Sequence, residues 1–509
     1  MADLKNELQP LIKGEISIDP SLLEKYSRDA SLFQVKPSLI AIPQDEDDIK
    51  SLVSYAGRNP SEKISLTVRS GATDMTGGPL NESVILDVSR LDKIIEVGES
   101  PRSSSGPLRH SSGEASEADG YAVTQPGVFY RDFEKATLAK NLLMPAFPAS
   151  REICTVGGMV ANNAGGEKTL TYGQTKEYVQ ELKVVLADGN SYEIKPLDAV
   201  ELGAKMAQQD FEGDMYRQIH SLLQENYDLI QEHKPKVSKN SAGYYLWDVW
   251  DRRTFDLTKL FTGSQGTLGI ITEIKFKLIR PKPYSKLLII FLNDFKLLAK
   301  VAGAVMRFKP ESFESFDDKT LKLALRFLPD FIKLLGKNIF ALAWQFLPEF
   351  GLVLSGGVPK LILLAEFTGD SEKEVDDKLQ QARQALAPFS VQSRITRSQD
   401  EAKKYWTIRR ESFNLLRYHI KDKRTAPFID DMVVKPEYLP EFLPRLEALL
   451  QPYNLVYSIA GHVGDGNFHI IPLMTMGDQK IRQIIPELSK KIYGLILEFH
   501  GSITGEHND

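Results

Sequence analysis

CTVGGMVANNAGGEKTLTYG, residues 154–173, sets two glycine pairs among threonines and asparagines. Two other segments of the same half are built alike: RSGATDMTGG at 69–78 and GSQGTLGIITE at 263–273. Residues without bulk let consecutive backbone N–H groups close on an anion, so each segment is a candidate phosphate nest. RSGATDMTGG is not the G-x-x-x-x-G-K-[ST] loop, and it has no lysine where a nucleoside triphosphate needs one. Nor does it fit a G-x-G-x-x-G running into a helix. One such segment is most often only a turn. Three in one half can line an extended groove for a dinucleotide.

Outward from these loops the pattern is strand, turn and helix. Residues 38–42 read as a strand and a helix begins near Asp45. KISLTV and SVILDVS are β-branched strands on either side of the first glycine segment. YAVTQPGVFYRDFEKATLAKN predicts a strand and then a helix, and LKVVLAD, SYEI and GIITEIKFKLI read as further strands. Residues 1–35 read as a polar helical lead-in, and 98–120, rich in Ser, Gly and Glu, as a surface loop. From residue 282 strand-like runs (KLLIIFL, KLILLAEFT) alternate with helical ones (295–306, 371–388, 437–451), which predicts an antiparallel sheet with helices on one face. The fold class is therefore α+β in two parts, 36–281 and 282–509, after the lead-in.

Composition narrows the function. The chain has 509 residues, 42% apolar and 26% charged, with a net charge of −5. That is ordinary globular protein and not a nucleic-acid surface. The single cysteine, Cys154, excludes an intramolecular disulfide, a cysteine-built zinc site and a cluster held by this chain alone. It suits a reducing, cytoplasmic compartment. The N-terminus has no apolar signal core, and no uncharged apolar run reaches the ~18 residues of a membrane span. Residues 328–358 carry an amphipathic pattern with lysines at 333 and 337. It fits a core-facing helix pair, or a helix in peripheral contact with a membrane.

GHVGDGNFH, residues 461–469, brings His462 and His469 into one glycine-rich run. They are not at i, i+4, so this is not the H-E-x-x-H helix. The surrounding YNLVYSIAGHVGDGNFHIIPLM reads as two strands joined by a kink, which could turn both rings towards one point. A divalent metal usually takes a third protein ligand and keeps an open position. GSITGEHND, at the end of the chain, offers Glu506 beside His507. On pattern alone, a metal site and two structural histidines both stay open.

The three glycine segments, in this order and spacing, resemble the FAD-binding domain of the vanillyl-alcohol oxidase (PCMH) type. The second half is similar to the substrate and metal domain of the D-lactate dehydrogenase and glycolate oxidase group, which includes D-2-hydroxyglutarate dehydrogenase. This resemblance implies that Ser70, Gly71, Ala72, Thr73, Gly77 and Gly78 hold the FAD pyrophosphate. It implies that Pro148, Thr155, Gly157, Gly158, Asn162 and Gly165 border the flavin, and that Ile271 lies near the adenine. Relatives with a histidyl flavin link carry histidine at the position of Thr73, and those with a cysteinyl link have an extra residue after theirs, which Cys154 lacks. Non-covalent FAD is the expectation. The resemblance also implies that His462, His469 and Glu506 are ligands of zinc or manganese and that His507 is the catalytic base. Asn467 would line the substrate pocket, with Asp465 bracing the loop. Arg409, three residues after Trp406, would take the substrate carboxylate through its planar fork. Arg410 has no such match. Phe413 and Ile429 stand where the 2-hydroxyglutarate enzymes carry a threonine and a lysine, which disfavours a diacid.

The implied reaction is oxidation of a D-2-hydroxy acid, D-lactate by default, to the 2-keto acid, with hydride transfer to flavin N5. A metal would lower the pKa of the substrate hydroxyl, so that a histidine with an ordinary pKa near ~6.5 suffices as base. Electrons would pass to an acceptor other than oxygen: an iron–sulfur domain or subunit, a quinone or a cytochrome. FIDDMVVKPEYLPEFLPRL and EHND resemble the branch fused to an iron–sulfur domain, so the expectation is that these residues are part of a longer polypeptide. Two alternatives are a non-catalytic flavin-binding electron-transfer subunit of a larger oxidase complex and a related flavoprotein oxidising a different alcohol. The His/His/Glu-His set speaks against the first.

Overall fold

Leu39–Ile42, Val84–Asp87 and Leu66–Arg69 pair in parallel and form three of the four strands of the first sheet, with Leu66–Arg69 at one edge. Their apolar runs need cover on both faces, as parallel sheets do. One cover is the helix Glu46–Arg58, capped by Asp45, whose Ile49 and Leu52 are fully buried. The lead-in carries the helices Ala2–Leu8 and Pro20–Tyr26, but it also adds a strand to this sheet. Its strand Glu15–Ser17 pairs antiparallel with Leu39–Ile42, and Leu8, Ile12 and Ile16 join the same core. Their apolar spacing, diluted by neighbouring charges, conceals a sheet edge.

The structure is a computed structural model that describes residues 2–100, 119–326, 359–419 and 423–508; of residues 2, 323–326 and 411–419 it describes the backbone alone. The amphipathic stretch 328–358, most of the loop 98–120 and the Phe413 side chain lie outside the described residues. Among the described residues no helix is long and apolar enough to cross a membrane.

A second, five-stranded antiparallel sheet completes the first half, with Ile270–Leu278 between Gly120–Thr124 and Val179–Val185. The second half is built on a seven-stranded antiparallel sheet. Helices cover both of its faces, not one. Leu288, Ile290 and Leu292 point into a core with the helices Leu298–Met306, Glu372–Ala385, Leu439–Leu450 and Gln479–Glu498. Leu287, Ile289 and Phe291 face the other way, against Tyr405, Trp406 and Ile408 of the helix Gln399–His419. An uninterrupted run of six apolar residues in one strand demands this, because alternation would send three of them into water.

Candidate active site

The strands Ile459–His462 and Asn467–Ile470 form a hairpin whose register pairs His462 with Asn467 and Ala460 with His469. Paired residues share a face, so His462, Asn467 and His469 all project from the same side of the sheet. Gly466, at φ +69°, makes the turn, and a Cβ there would sit 1.8 Å from the Val434 carbonyl oxygen. On one flank the ladder brings the strand Ser312–Asp317 alongside, and Glu314 Oε1 meets His462 Nδ1 at 2.6 Å. On the other flank Asp431 lies opposite His469.

The end of the chain supplies the rest. After the helix Gln479–Glu498, Ser502 exchanges two backbone bonds with Val433, and the next residues turn under Asp431. Asp431 Oδ2 accepts the backbone N–H groups of Gly505 (2.7 Å), Glu506 (2.6 Å) and His507 (2.8 Å), and Oδ1 accepts Asn467 Nδ2 at 2.8 Å. Glu506 Oε1 then stands 3.1 Å from His462 Nε2 and 3.3 Å from His469 Nε2. His507 stacks on His469, with ring centroids 5.1 Å apart, and its Nδ1 lies 2.9 Å from Asp430 Oδ2.

The first half holds this segment from the opposite side. Asn162 Nδ2 donates to the Glu506 carbonyl oxygen (2.8 Å), and Ser241 Oγ (2.8 Å) and Gln174 Nε2 (3.2 Å) donate to that of Gly505. Lys239, fully buried, reaches Glu506 Oε2 at 3.0 Å. Gly165 is small for the same reason: a Cβ there would meet Glu506 Oε2 at 3.0 Å. The position expected at the flavin edge therefore also borders Glu506.

The three glycine segments converge. Ser70 Oγ and Thr155 Oγ1 lie 2.5 Å apart, a Cβ on Gly71 would strike the Ile153 carbonyl oxygen at 2.9 Å, and Gln265 N donates to the Ala161 carbonyl oxygen (2.9 Å). Gly157 is pressed on Pro126, and Gly158 lies beside Thr155 Oγ1 and Ser70 Oγ. The amides of Gly71, Ala72 and Thr73 make no bond to another described residue, and Ala72 is left-handed at φ +52°. Those of Gly77 (2.8 Å) and Gly78 (3.2 Å) are taken by Asp74 Oδ1. This glycine pair thus already has a carboxylate partner, whereas the amides of Gly71, Ala72 and Thr73 do not. Pro148 lies beside Gly166. Ile271 sits in its strand opposite Val184 and packs on the core that also holds Val156, Met159 and Val160.

Cys154 is buried, and desolvation pushes its thiol up to about 12. At pH 8 almost none of it is thiolate, against roughly a quarter of a free cysteine. We expect it to alkylate at least ~10²-fold more slowly than a free thiol until the chain is unfolded, as a timed iodoacetamide reaction would show.

Arg409 is in the site but not free: its guanidinium pairs with Glu314, the carboxylate that holds His462. Its Nε alone has no partner among the described residues. Arg410 makes a forked pair with Glu167 of the first half. His507 departs from an ordinary imidazole. Burial alone would depress it, but the Asp431 and Asp430 carboxylates outweigh burial and push it up to about 10. Buried Glu506 is held well below the usual carboxylate range, because Lys239 and His462 overcome its desolvation.

Two features fit a divalent cation. Donor separations of 3.1 and 3.3 Å lie within the ~2.8–3.6 Å edges that octahedral to tetrahedral ligands ~2.0–2.2 Å from one ion make. Glu314 at His462 Nδ1 fixes the tautomer that leaves Nε2 a lone pair, as outer partners of metal-bound histidines do. The charge count agrees. Glu314, Asp430, Asp431, Asp465 and Glu506 are buried together, against the cations Lys239 and Arg409. Burial raises Asp465, and the remaining negative charge is met by His462 and His507, which the neighbouring carboxylates raise; a bound dication would take over that compensation.

Comparison with known proteins agrees with this architecture. Residues 37–195 match the FAD binding domain, and residues 282–508 match the family described as FAD linked oxidases, C-terminal domain. The chain carries an FAD binding domain followed by a C-terminal domain of the FAD linked oxidases. It is 28% identical over 502 residues to a D-2-hydroxyglutarate dehydrogenase of Pseudomonas putida, covering 97% of this chain and 47% of that protein. A protein of the same description from Escherichia coli is 26% identical, covering 94% of this chain and 45% of that protein. The chain thus spans about half the length of these relatives. Glycolate oxidase subunit GlcD of Bacillus subtilis is 25% identical, covering 99% of this chain and 88% of that protein. Among solved structures, alkyldihydroxyacetonephosphate synthase superposes with a TM-score of 0.66 at 14% identity, over 99% of this chain and 80% of that one. The 4-ethylphenol oxidase from Gulosibacter chungangensis gives 0.64 at 15%, over 99% and 89%. These likenesses show the PCMH-type fold.

Lys239, Glu314, Asp430 and Asp431 were not singled out in the sequence. A signal was present for three of them: Glu314 interrupts SFESFD between two phenylalanines, and the aspartate pair sits inside the apolar FIDDMVV. A charge within an apolar strand must be paired. Lys239, in VSKNSAG, had no such context.

Proposed function

We propose that this chain is the catalytic flavin unit of a D-2-hydroxy-acid dehydrogenase, with non-covalent FAD and one divalent ion, zinc or manganese, on His462, His469 and Glu506. The observation that carries the reading is the meeting of those three donors, 3.1 and 3.3 Å apart, with Glu506 tied by Asn162 to the glycine segments. When bound, FAD supplies a hydride acceptor and the ion lowers the cost of ionising a hydroxyl.

The chain's own residues do the rest. Gly71, Ala72 and Thr73 offer open amides to the pyrophosphate, and Thr155, Gly158 and Asn162 border the flavin, with Gly157 packed on Pro126. Arg409 Nε is the open donor for the substrate carboxylate. Asn467, fully buried and fixed by Asp431, stands beside His462 on the hairpin, where we assign it to the substrate side. Asp430 holds His507 at Nδ1 and leaves Nε2 to receive the hydroxyl proton. A cation on His462, His469 and Glu506 would oppose the carboxylates that raise His507 and return it towards the range of a base. The electron acceptor is an iron–sulfur domain or subunit, a quinone or a cytochrome, and the setting is cytoplasmic.

The relatives' names suggest 2-hydroxyglutarate or glycolate as substrate. Ile429 is buried in the core, and Arg409, Arg410, Lys168 and Lys239 are each paired with a carboxylate. That favours a monoacid such as D-lactate over a diacid. An anaerobic spectrum of the flavin-loaded protein tests this. Bleaching near ~450 nm by D-lactate but not L-lactate is expected. Equal response to both isomers, or none to D-lactate, D-2-hydroxyglutarate and glycolate, would refute the assignment.

A further inference from the structure

The two oxygens of Glu506 have different partners. Oε1 faces Nε2 of both histidines, while Oε2 faces Lys239 Nζ at 3.0 Å. The ammonium also lies 3.5 Å from Asp465 Oδ2 and 3.5 Å from Asn467 Oδ1, and its side chain is 0% exposed. A lysine this deep, entering from the other half of the chain, is a costly thing to bury unless its geometry is used.

We infer that Lys239 is a positioning residue for the metal site: it occupies Oε2, so that Glu506 presents Oε1 alone to a cation. The inference rests on reading His462, His469 and Glu506 as the metal ligands. Glu506 would then contribute one oxygen, and positions that a chelating carboxylate would fill stay open for the substrate.

Lys239 affects a bound dication in two opposed ways. Its charge repels the ion, so on Coulomb grounds alone its removal should tighten binding. Its hydrogen bond orients the ligand, so removal should loosen binding, and outer partners of metal ligands are typically worth about 10–100-fold in affinity. Orientation is expected to win. The ammonium charge is already compensated by Glu506 and Asp465, whereas losing the donor leaves a buried carboxylate oxygen without a partner.

Co²⁺ titration of the flavin-loaded protein separates these cases, because its visible bands report how the ligands are arranged. The native protein is expected to bind one Co²⁺. K239M is expected to bind it about 10–100-fold more weakly with altered bands, and K239R, which retains charge and donors, to recover part of the loss. K239M binding as tightly as native, or more tightly, with native bands overturns the inference. Should K239M lose its flavin or its fold, K239Q replaces it. Near-native affinity and bands in K239Q support the role of the donor, and tighter binding than native overturns it. A native protein that binds no Co²⁺ removes the metal reading itself.

Discussion

Replacing Glu506 by glutamine is expected to slow flavin reduction by a 2-hydroxy acid about 10³-fold, roughly 4 kcal/mol of barrier, and to destabilise the folded chain. The kinetic effect follows from the place of Oε1 between the two histidine Nε2 atoms. A neutral amide there is a poor ligand for a divalent ion and no longer offsets it. The stability effect has a different origin: Lys239 loses the closer of its two carboxylates and keeps Asp465 at 3.5 Å. Breaking a buried pair costs about 3–5 kcal/mol, and the remaining aspartate places this case at about 3. Stopped-flow reduction and urea unfolding measure the two separately. Native kinetics with lowered stability would show Glu506 to be structural only.

Asp431→Ala is expected to cost about 4 kcal/mol or to release the end of the chain altogether. One carboxylate oxygen accepts three successive backbone N–H groups at 2.6–2.8 Å, and the other fixes Asn467. Hydrogen bonds to a charged acceptor are worth about 1.5–3 kcal/mol each, and three sharing one oxygen add less than their sum. Because three successive amides depend on one oxygen, local release of this segment is an alternative to a uniform penalty. Hydrogen exchange distinguishes the two. Loss of protection confined to residues 504–508, with metal binding lost, is release. Unchanged protection there would show that Asn162, Ser241 and Gln174 hold the segment without Asp431.

Much of the site was legible because its parts are local. The glycine segments and the H-x-G-D-G-N-x-H hairpin each write their geometry within about ten residues. The register of that hairpin follows from a turn that Gly466 alone permits. What was not legible is what crosses from one half to the other. Lys239 meets Glu506, and Arg410 meets Glu167, over separations of 267 and 243 residues. Arg409 illustrates the limit: its place in the site could be read from Trp406, but its engagement by Glu314 depends on a strand far away in the chain. His507 is a second case. Its residue type predicts an ordinary imidazole, and only the fold sets two aspartates beside it. The lead-in strand Glu15–Ser17 escaped because three residues carry no period to read.

The central claim is that one flavin and one metal ion serve a single site. The most direct measurement is anaerobic single-turnover flavin reduction by a D-2-hydroxy acid in three samples: intact, stripped by chelator, and restored with one equivalent of Zn²⁺ or Mn²⁺. Reduction slowed by ~10³-fold or more in the stripped protein, with native rate and D-selectivity regained on restoration, is the expected result. A stripped protein that reduces its flavin as fast as the intact one would contradict the claim.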